Sequence, residues 1–174
     1  MKQCNNVTMN QKGFTLLEVM VAIFVITVGV IGVLSALQRA TSATFVSSSR
    51  LEAIYLAQEG IEIVRNIRDT NWLNEGVVWD SGLPTSPPDY RVDYRNKSLF
   101  DVECEGIYLK IDGEFYECSS ESGPKKLQRK ITISHVDLDG DGEPDKMSVS
   151  VTVEWEERGE NFQVRVQENL YNWK

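Results

Sequence analysis

The sequence predicts an α+β chain in which one long N-terminal helix, membrane-spanning in its first half and amphipathic in its second, packs on an antiparallel β-sheet. Three observations carry this expectation. From Phe14 to Leu37 the chain is a run of 24 residues of Phe, Leu, Val, Ile, Ala, Met and Gly interrupted only by Thr15, Glu18, Thr27 and Ser35. A helix of that length crosses a hydrocarbon core of ~30 Å. From Arg39 to Asp69 there is no Pro and a single Gly, with apolar residues recurring at helical spacing. From Asn74 onward Gly, Pro, Asn, Asp and Ser punctuate short alternating runs, the signature of strands and turns.

The first element, 14–37, has two ordinary explanations. A secretory signal peptide has an apolar region of roughly 7–15 residues followed by a small-residue cleavage site, and this run is longer. A simple membrane anchor fits the length, but it gives no reason for Glu18, because an ionised side chain in the membrane costs roughly 1–3.5 kcal/mol depending on depth. Glu18 therefore asks for a partner.

Gly13, Phe14 and Glu18 supply one. A polar leader ending in Gly, an aromatic residue after it and a Glu four residues further on resemble the type IV prepilin and pseudopilin family. The resemblance implies a membrane-embedded prepilin peptidase and methylase, which cuts between Gly13 and Phe14 on the cytoplasmic side and methylates the new amino group. It also implies that the Phe14 ammonium and the Glu18 carboxylate, of one subunit or of neighbours, neutralise each other in an apolar bundle where either alone is costly. The fold it implies is the type IV pilin fold, with other pilin or pseudopilin subunits as partners. The expected location is the inner membrane before assembly, single-pass with the C-terminal domain exported, and then a cell-surface pilus or a periplasmic or extracellular filament. Major pilins often carry a Pro late in this run. This chain has none, and its start looks more like minor pilins and pseudopilins.

On this reading residues 1–13 are the leader, 14–37 the filament-core helix, 38–70 its amphipathic continuation and 71–174 an exported β-rich domain. Lys2 and Lys12 are the leader's only charged side chains and orient it toward the cytoplasm. Their removal takes 18 basic and 26 acidic residues to 16 and 26, from a net −8 to −10. Such an acidic product disfavours nucleic acid as a primary ligand, since phosphate contact needs clustered cations.

Of the three cysteines, Cys4 leaves with the leader, so Cys104 and Cys118 remain as an even pair in an exported domain. A disulfide between them would close a loop of 15 residues and contribute about 3 kcal/mol in the chain-entropy picture. Two free thiols are the alternative. A zinc site is disfavoured, because His135 is the only histidine.

In the amphipathic continuation, Leu51, Ile54, Tyr55, Ile61, Val64 and Ile67 mark the expected buried stripe. The Ser- and Thr-rich stretch 40–49 and Gly60 are its weak points. Glu62 with Arg65, and Arg65 with Asp69, are spaced for ion pairs on a solvated face, and Trp72 and Trp79 are placed to pack the helix on the following domain. A helix from Phe14 to about Arg68 is about 80 Å long. Gly29, Gly32, Ala22 and Ser35 permit close helix approach, or are ordinary membrane-helix composition.

Strands are expected at Tyr90–Tyr94, Ile107–Ile111, Glu114–Glu117, Leu127–Val136, Lys146–Glu156 and Asn161–Leu170, joined in one antiparallel sheet. Tight turns are expected at Ile111–Glu114 and at Glu157–Glu160, with 81–88 as a loop.

The second motif of chemical interest is Asp137-Leu138-Asp139-Gly140-Asp141-Gly142-Glu143-Pro144-Asp145. Carboxylates at relative positions one, three, five and nine, with Gly at six, resemble the start of an EF-hand or thrombospondin-type calcium loop. Asp137, Asp139, Asp141 and Asp145 would offer side chains to Ca2+ and Glu143 its carbonyl. Ser148 stands where an EF-hand has its bidentate Glu, and strands flank the loop, so a polar hairpin loop is the alternative.

An enzyme is not expected: the exported part offers one His, no phosphate-binding Gly loop and no nucleophile-elbow pattern. The function classes left are a minor pilin or pseudopilin of a pilus, secretion or DNA-uptake filament and, from the binding class, a calcium-dependent adhesin module on an anchor or filament tip. In the second, Trp155, Phe162, Tyr171 and Trp173 would contact a surface.

Overall fold

A computed structural model describes residues 13, 15–83, 90–92 and 107–172. Phe14, Cys104, Trp173, the leader before Gly13, the loop 84–89 and the last two residues of the expected strand Tyr90–Tyr94 lie outside the described residues. The chain is α+β: helix α1 (Leu16–Leu73) is followed by β1 (Tyr108–Asp112), β2 (Phe115–Ser119), β3 (Gln128–Val136), β4 (Lys146–Glu157) and β5 (Glu160–Tyr171). Two compact units divide it between Phe45 and Val46, inside the Ser- and Thr-rich stretch.

In the first unit every described residue from Leu16 to Thr41 is exposed. Side-chain hydroxyls there bond to the helix itself: Thr27 Oγ1 donates to the Ile23 carbonyl at 2.7 Å and Ser35 Oγ to the Ile31 carbonyl at 2.9 Å. Each of these hydroxyls is thereby satisfied without water, as a membrane-spanning helix requires.

The second unit holds the core. Its buried helix stripe is Ser49, Ala53, Leu56, Ala57, Gly60, Ile61, Val64, Ile67 and Arg68, a spacing of three and four that defines one face. This corrects two members of the expected stripe. Leu51 and Tyr55 are 52% and 62% exposed, and small residues take their place because they let the helix backbone approach the sheet. Gly60 shows the reason: a Cβ there would stand 3.0 Å from Val151 Cγ1 and 3.2 Å from Arg129 Cδ. The residue that weakens the helix by propensity is the one that admits the sheet.

The strands form two antiparallel sheets instead of one, β1–β2 and β3–β4–β5. β4 is central and contributes Val149, Val151, Val153 and Trp155 to the core, opposite Ile131 and Ile133 of β3. Strands 3 to 5 fall within a residue of their expected limits. The first hairpin turns one residue later than expected, with Gly113 and Glu114 as its loop and Asp112 opposite Phe115; Gly113 has φ 63°, the conformation a two-residue turn asks of its first residue when that residue is Gly. The β4–β5 loop, Arg158 and Gly159, has φ 54° and 83°, the pattern of a type I′ turn. Of the expected strand at Tyr90, the described part forms a single bridge to Ile131.

Candidate functional site

Two regions carry the residues singled out from the sequence. At the N-terminus, Thr15 precedes the first helical residue and its Oγ1 accepts from the Glu18 backbone N–H at 3.3 Å. Thr15-Leu16-Leu17-Glu18 thus has the sequence of a capping box, with Glu18 at its third helical position. The carboxylate stands in the first turn of a helix whose N-terminal dipole favours negative charge. Gly13 is exposed, with nothing among the described residues within 4 Å of where a Cβ would be. Among the described residues one helix, α1, is long and apolar enough to cross a membrane, and none of its apolar window is buried there.

These features coincide with a known motif. Residues 8–34 carry the prokaryotic N-terminal methylation motif. It marks type IV prepilin- and pseudopilin-like proteins, and it implies processing by a prepilin peptidase and assembly with other pilin subunits. The apolar N-terminal helix fits membrane anchoring before assembly. No curated protein and no solved structure matches the chain.

The second region is the loop 137–145 between β3 and β4. Gly140 and Gly142, at φ 83° and 93°, fold it back so that their N–H groups donate to the two carboxylate oxygens of Asp137 at 2.6 and 2.9 Å. Those two backbone donors, Gly140 first, hold the Asp137 carboxyl below its usual range. The Asp141 N–H donates to Asp139 Oδ1 at 3.2 Å, the Glu143 N–H to Asp141 Oδ1 at 2.8 Å and the Leu138 N–H to Asp145 Oδ2 at 2.6 Å. Carboxylate oxygens of Asp137, Asp139 and Asp145 all lie within 4.8 Å of one another. Asp141 and Glu143 stand outside that triad. The loop also anchors the residue that follows β5, since the Asn172 N–H donates to the Asp145 carbonyl at 2.8 Å.

Beside the loop, His135 on β3 is largely buried near Trp79, and its Nε2 stands 3.4 Å from Asp80 Oδ2. Burial pushes the imidazole below its usual range, and the Asp80 charge opposes that shift.

A third set of residues was not foreseen and holds α1 to the sheets. Arg129 on β3 is 2% exposed. Its Nη1 donates to the Leu56 carbonyl at 3.0 Å and lies 3.3 Å from Glu59 Oε1, while Nη2 donates to the Val92 carbonyl at 2.7 Å. Ser49 Oγ donates to Glu157 Oε2 at 2.7 Å, and Glu52 accepts from both the Tyr116 hydroxyl and Lys125 Nζ. Burial first, and then the Glu52 contact, raise the Tyr116 hydroxyl well above its usual range. Arg65 pairs with Glu62, as its spacing suggests, and also with Glu168 of β5 at 2.6 Å. Asp69 pairs with Arg68 at 2.7 Å instead of with Arg65, and Arg68 is a buried residue stacked 4.3 Å from the Trp72 ring centre, so this face is not simply solvated. Period two carried the missed signal for Arg129, which shares its strand face with Leu127, Ile131 and Ile133.

Proposed function

We propose that the chain is a minor pilin or pseudopilin, cut between Gly13 and Phe14, methylated at Phe14 and assembled through 14–37 into a type IV pilus or a related secretion or DNA-uptake filament. The observation that carries this reading is that the methylation motif overlaps a helix whose apolar window is fully exposed among the described residues. Once such a surface leaves the bilayer it must be buried, and other helices of the same kind are the available cover. In that setting Glu18 neutralises the methylated amine at residue 14.

Glu18→Gln separates this role from capping, because Gln also serves at the third position of a capping box but carries no charge. The variant should insert in the membrane and be cut to a mature mass lacking residues 1–13, yet fail to enter filaments. Normal incorporation would remove the charge-pairing role. An uncut chain in its native host would remove the prepilin reading as a whole.

Two features of the exported domain belong to the same proposal. A disulfide joins Cys118 of β2 to Cys104, closing the 15-residue loop 104–118 that contains β1. The loop 137–145 holds Ca2+ through Asp137, Asp139 and Asp145, with Asp141 swinging in; the support is the carboxylate triad at chelating distance. Asp139→Asn with Asp141→Asn should lower the melting temperature in calcium and leave it nearly unchanged in chelator. Equal losses in both would make the loop purely structural. Among the aromatics considered for an adhesin, Trp155 is buried and stacked on Phe162, ring centres 5.6 Å apart, which favours a packing role for that pair.

A further inference from the structure

The three-stranded sheet has two edges, and they are treated differently. Around the β4–β5 turn, Glu157 and Glu160 flank a two-residue loop and so form a hydrogen-bonded pair. Even-numbered residues of β5 therefore bond to β4, and odd-numbered ones direct N–H and C=O away from it. The Asn172 N–H bonding to the Asp145 carbonyl obeys the same parity. On the other side, Ile131 of β3 directs its backbone outward, and there Tyr90 meets it with two hydrogen bonds of 2.7 and 2.8 Å. The β3 edge is covered at that point. Along β5, among the described residues, no backbone group bonds to the outward N–H and C=O of Asn161, Gln163, Arg165, Gln167, Asn169 or Tyr171.

An open edge of this length is unusual, because exposed edges are normally blunted by shortness, Pro, bulges or Lys. β5 has twelve residues with no Pro, Gly or Lys, and its register with β4 is unbroken from Tyr171 to Glu160. Its side chains also lean away from the edge: Arg165 Nε donates to Ser150 Oγ at 2.6 Å and Gln167 Nε2 to Ser148 Oγ at 2.8 Å, both on β4. The charge of Glu168 is taken up by Arg65. What remains is a straight backbone ladder lined mainly by amides.

The strand is also complementary to itself. Laid antiparallel on a second β5 about Val166, it sets Val166 opposite Val166, Phe162 opposite Leu170, Gln163 opposite Asn169 and Arg165 opposite Gln167, with no two like charges facing. In this register every outward residue from Asn161 to Tyr171 meets another outward residue, so the whole edge is satisfied. We propose that β5 is an interface strand that pairs antiparallel with β5 of a second copy of this chain. The pairing needs only the exported domain and does not rest on the filament reading.

The test uses two differently tagged full-length chains co-expressed in one membrane. Gln163→Cys in one and Asn169→Cys in the other should give a cross-linked pair on mild oxidation, because facing residues of such a ladder stand ~5.5 Å apart at Cα, within disulfide reach. Thr152→Cys, on the central β4, should not cross-link to Asn169→Cys. The double variant Gln163→Pro, Gln167→Pro removes two outward backbone donors and no backbone bond to β4, at the loss of the exposed Gln167–Ser148 side-chain contact. It should weaken co-purification of the two tags about tenfold or more with the melting temperature kept. Should the prolines unfold the domain, Gln163→Lys with Gln167→Lys places charge on the same edge and should give the same loss. Cross-linking no stronger than the Thr152 control, association untouched by the folded edge variant, or capture of a different protein by Asn169→Cys would each overturn the proposal.

Discussion

The two halves of α1 are continuous in backbone and opposite in what their side chains do. Up to Leu37 the helix is apolar all round, with large residues such as Ile23, Phe24 and Leu37 itself exposed. After Val46 it buries a face built around Ala53, Ala57 and Gly60. Hydroxyls follow the same division. Those of Thr27 and Ser35 bond to carbonyls four residues back, while that of Ser49 reaches Glu157 at the end of β4. A helix face made for its own domain is thus recognised by small residues and outward-reaching polar groups. One made for a bilayer or for other helices shows large residues on every side and polar groups turned inward.

The sharpest way to break the comparison is at Arg129, which ties the docked half to β3. Arg129→Ala leaves the carbonyls of Leu56 and Val92 without that donor and empties a buried site, so unfolding in denaturant, followed by tryptophan fluorescence of the full chain in detergent micelles, should lose about 3–5 kcal/mol. Insertion of the first half should be unchanged. A loss near zero would mean that small-residue packing alone docks the helix.

Glycines in the two halves give a more local contrast. Gly60→Ala gains helix propensity, yet its Cβ would press on Val151 and Arg129, and a net loss of about 1–2 kcal/mol is expected in the same measurement. Gly29→Ala and Gly32→Ala meet nothing within 4 Å among the described residues and should leave the stability of the second unit unchanged. If all three behaved alike, the close approach at Gly60 would not be a determinant of docking.

These residues also show what the sequence makes legible and what it does not. Periodicity located the strands from β3 to β5 and both two-residue turns closely, because period two and the Gly positions report directly on backbone geometry. The apolar span and Glu18 were equally plain. The docked stripe was misread at Leu51 and Tyr55, since hydrophobicity alone ranks large residues above the alanines that permit contact. The contact of Arg129 with Leu56 and the Glu168 partner of Arg65 depend on pairings between residues more than seventy apart in the chain. The division into two sheets depends on how strands meet after folding. In the acidic loop, spacing brought out all four aspartates, but which three converge follows from the two positive-φ glycines.

Acidification should produce a smaller loss in the docked unit. His135 is held below its usual range by burial, so below about pH 6.5 the unfolded chain binds a proton that the folded one resists. Its contribution is complete above that pH and is lost as pH falls through the lower folded value. His135→Gln should flatten that part of the stability profile, measured by thermal melts between pH 7.5 and 5. An unchanged slope would place the acid sensitivity elsewhere.

The smallest effects test whether a contact between elements outweighs one within the helix. Arg65 sits between Glu62, on its own helix and 61% exposed at the side chain, and Glu168 of β5, 33% exposed. Both carboxylates and the hydrogen bond to Glu168 above all hold the guanidinium in its charged form. Solvent screens the Glu62 pair, and pairs at such helical spacing contribute about 0.2–0.5 kcal/mol. The Glu168 pair bridges helix and strand, with Nη2 of Arg65 reaching both oxygens of one carboxylate, which should raise its share to about 1 kcal/mol. Glu168→Gln should therefore cost more than Glu62→Gln in the denaturant measurement, and the double variant with Arg65→Gln should recover part of the Glu168→Gln loss if the pair is coupled. If the two single losses were equal, the ion pair across the elements would add no more than the one that helical spacing already supplies.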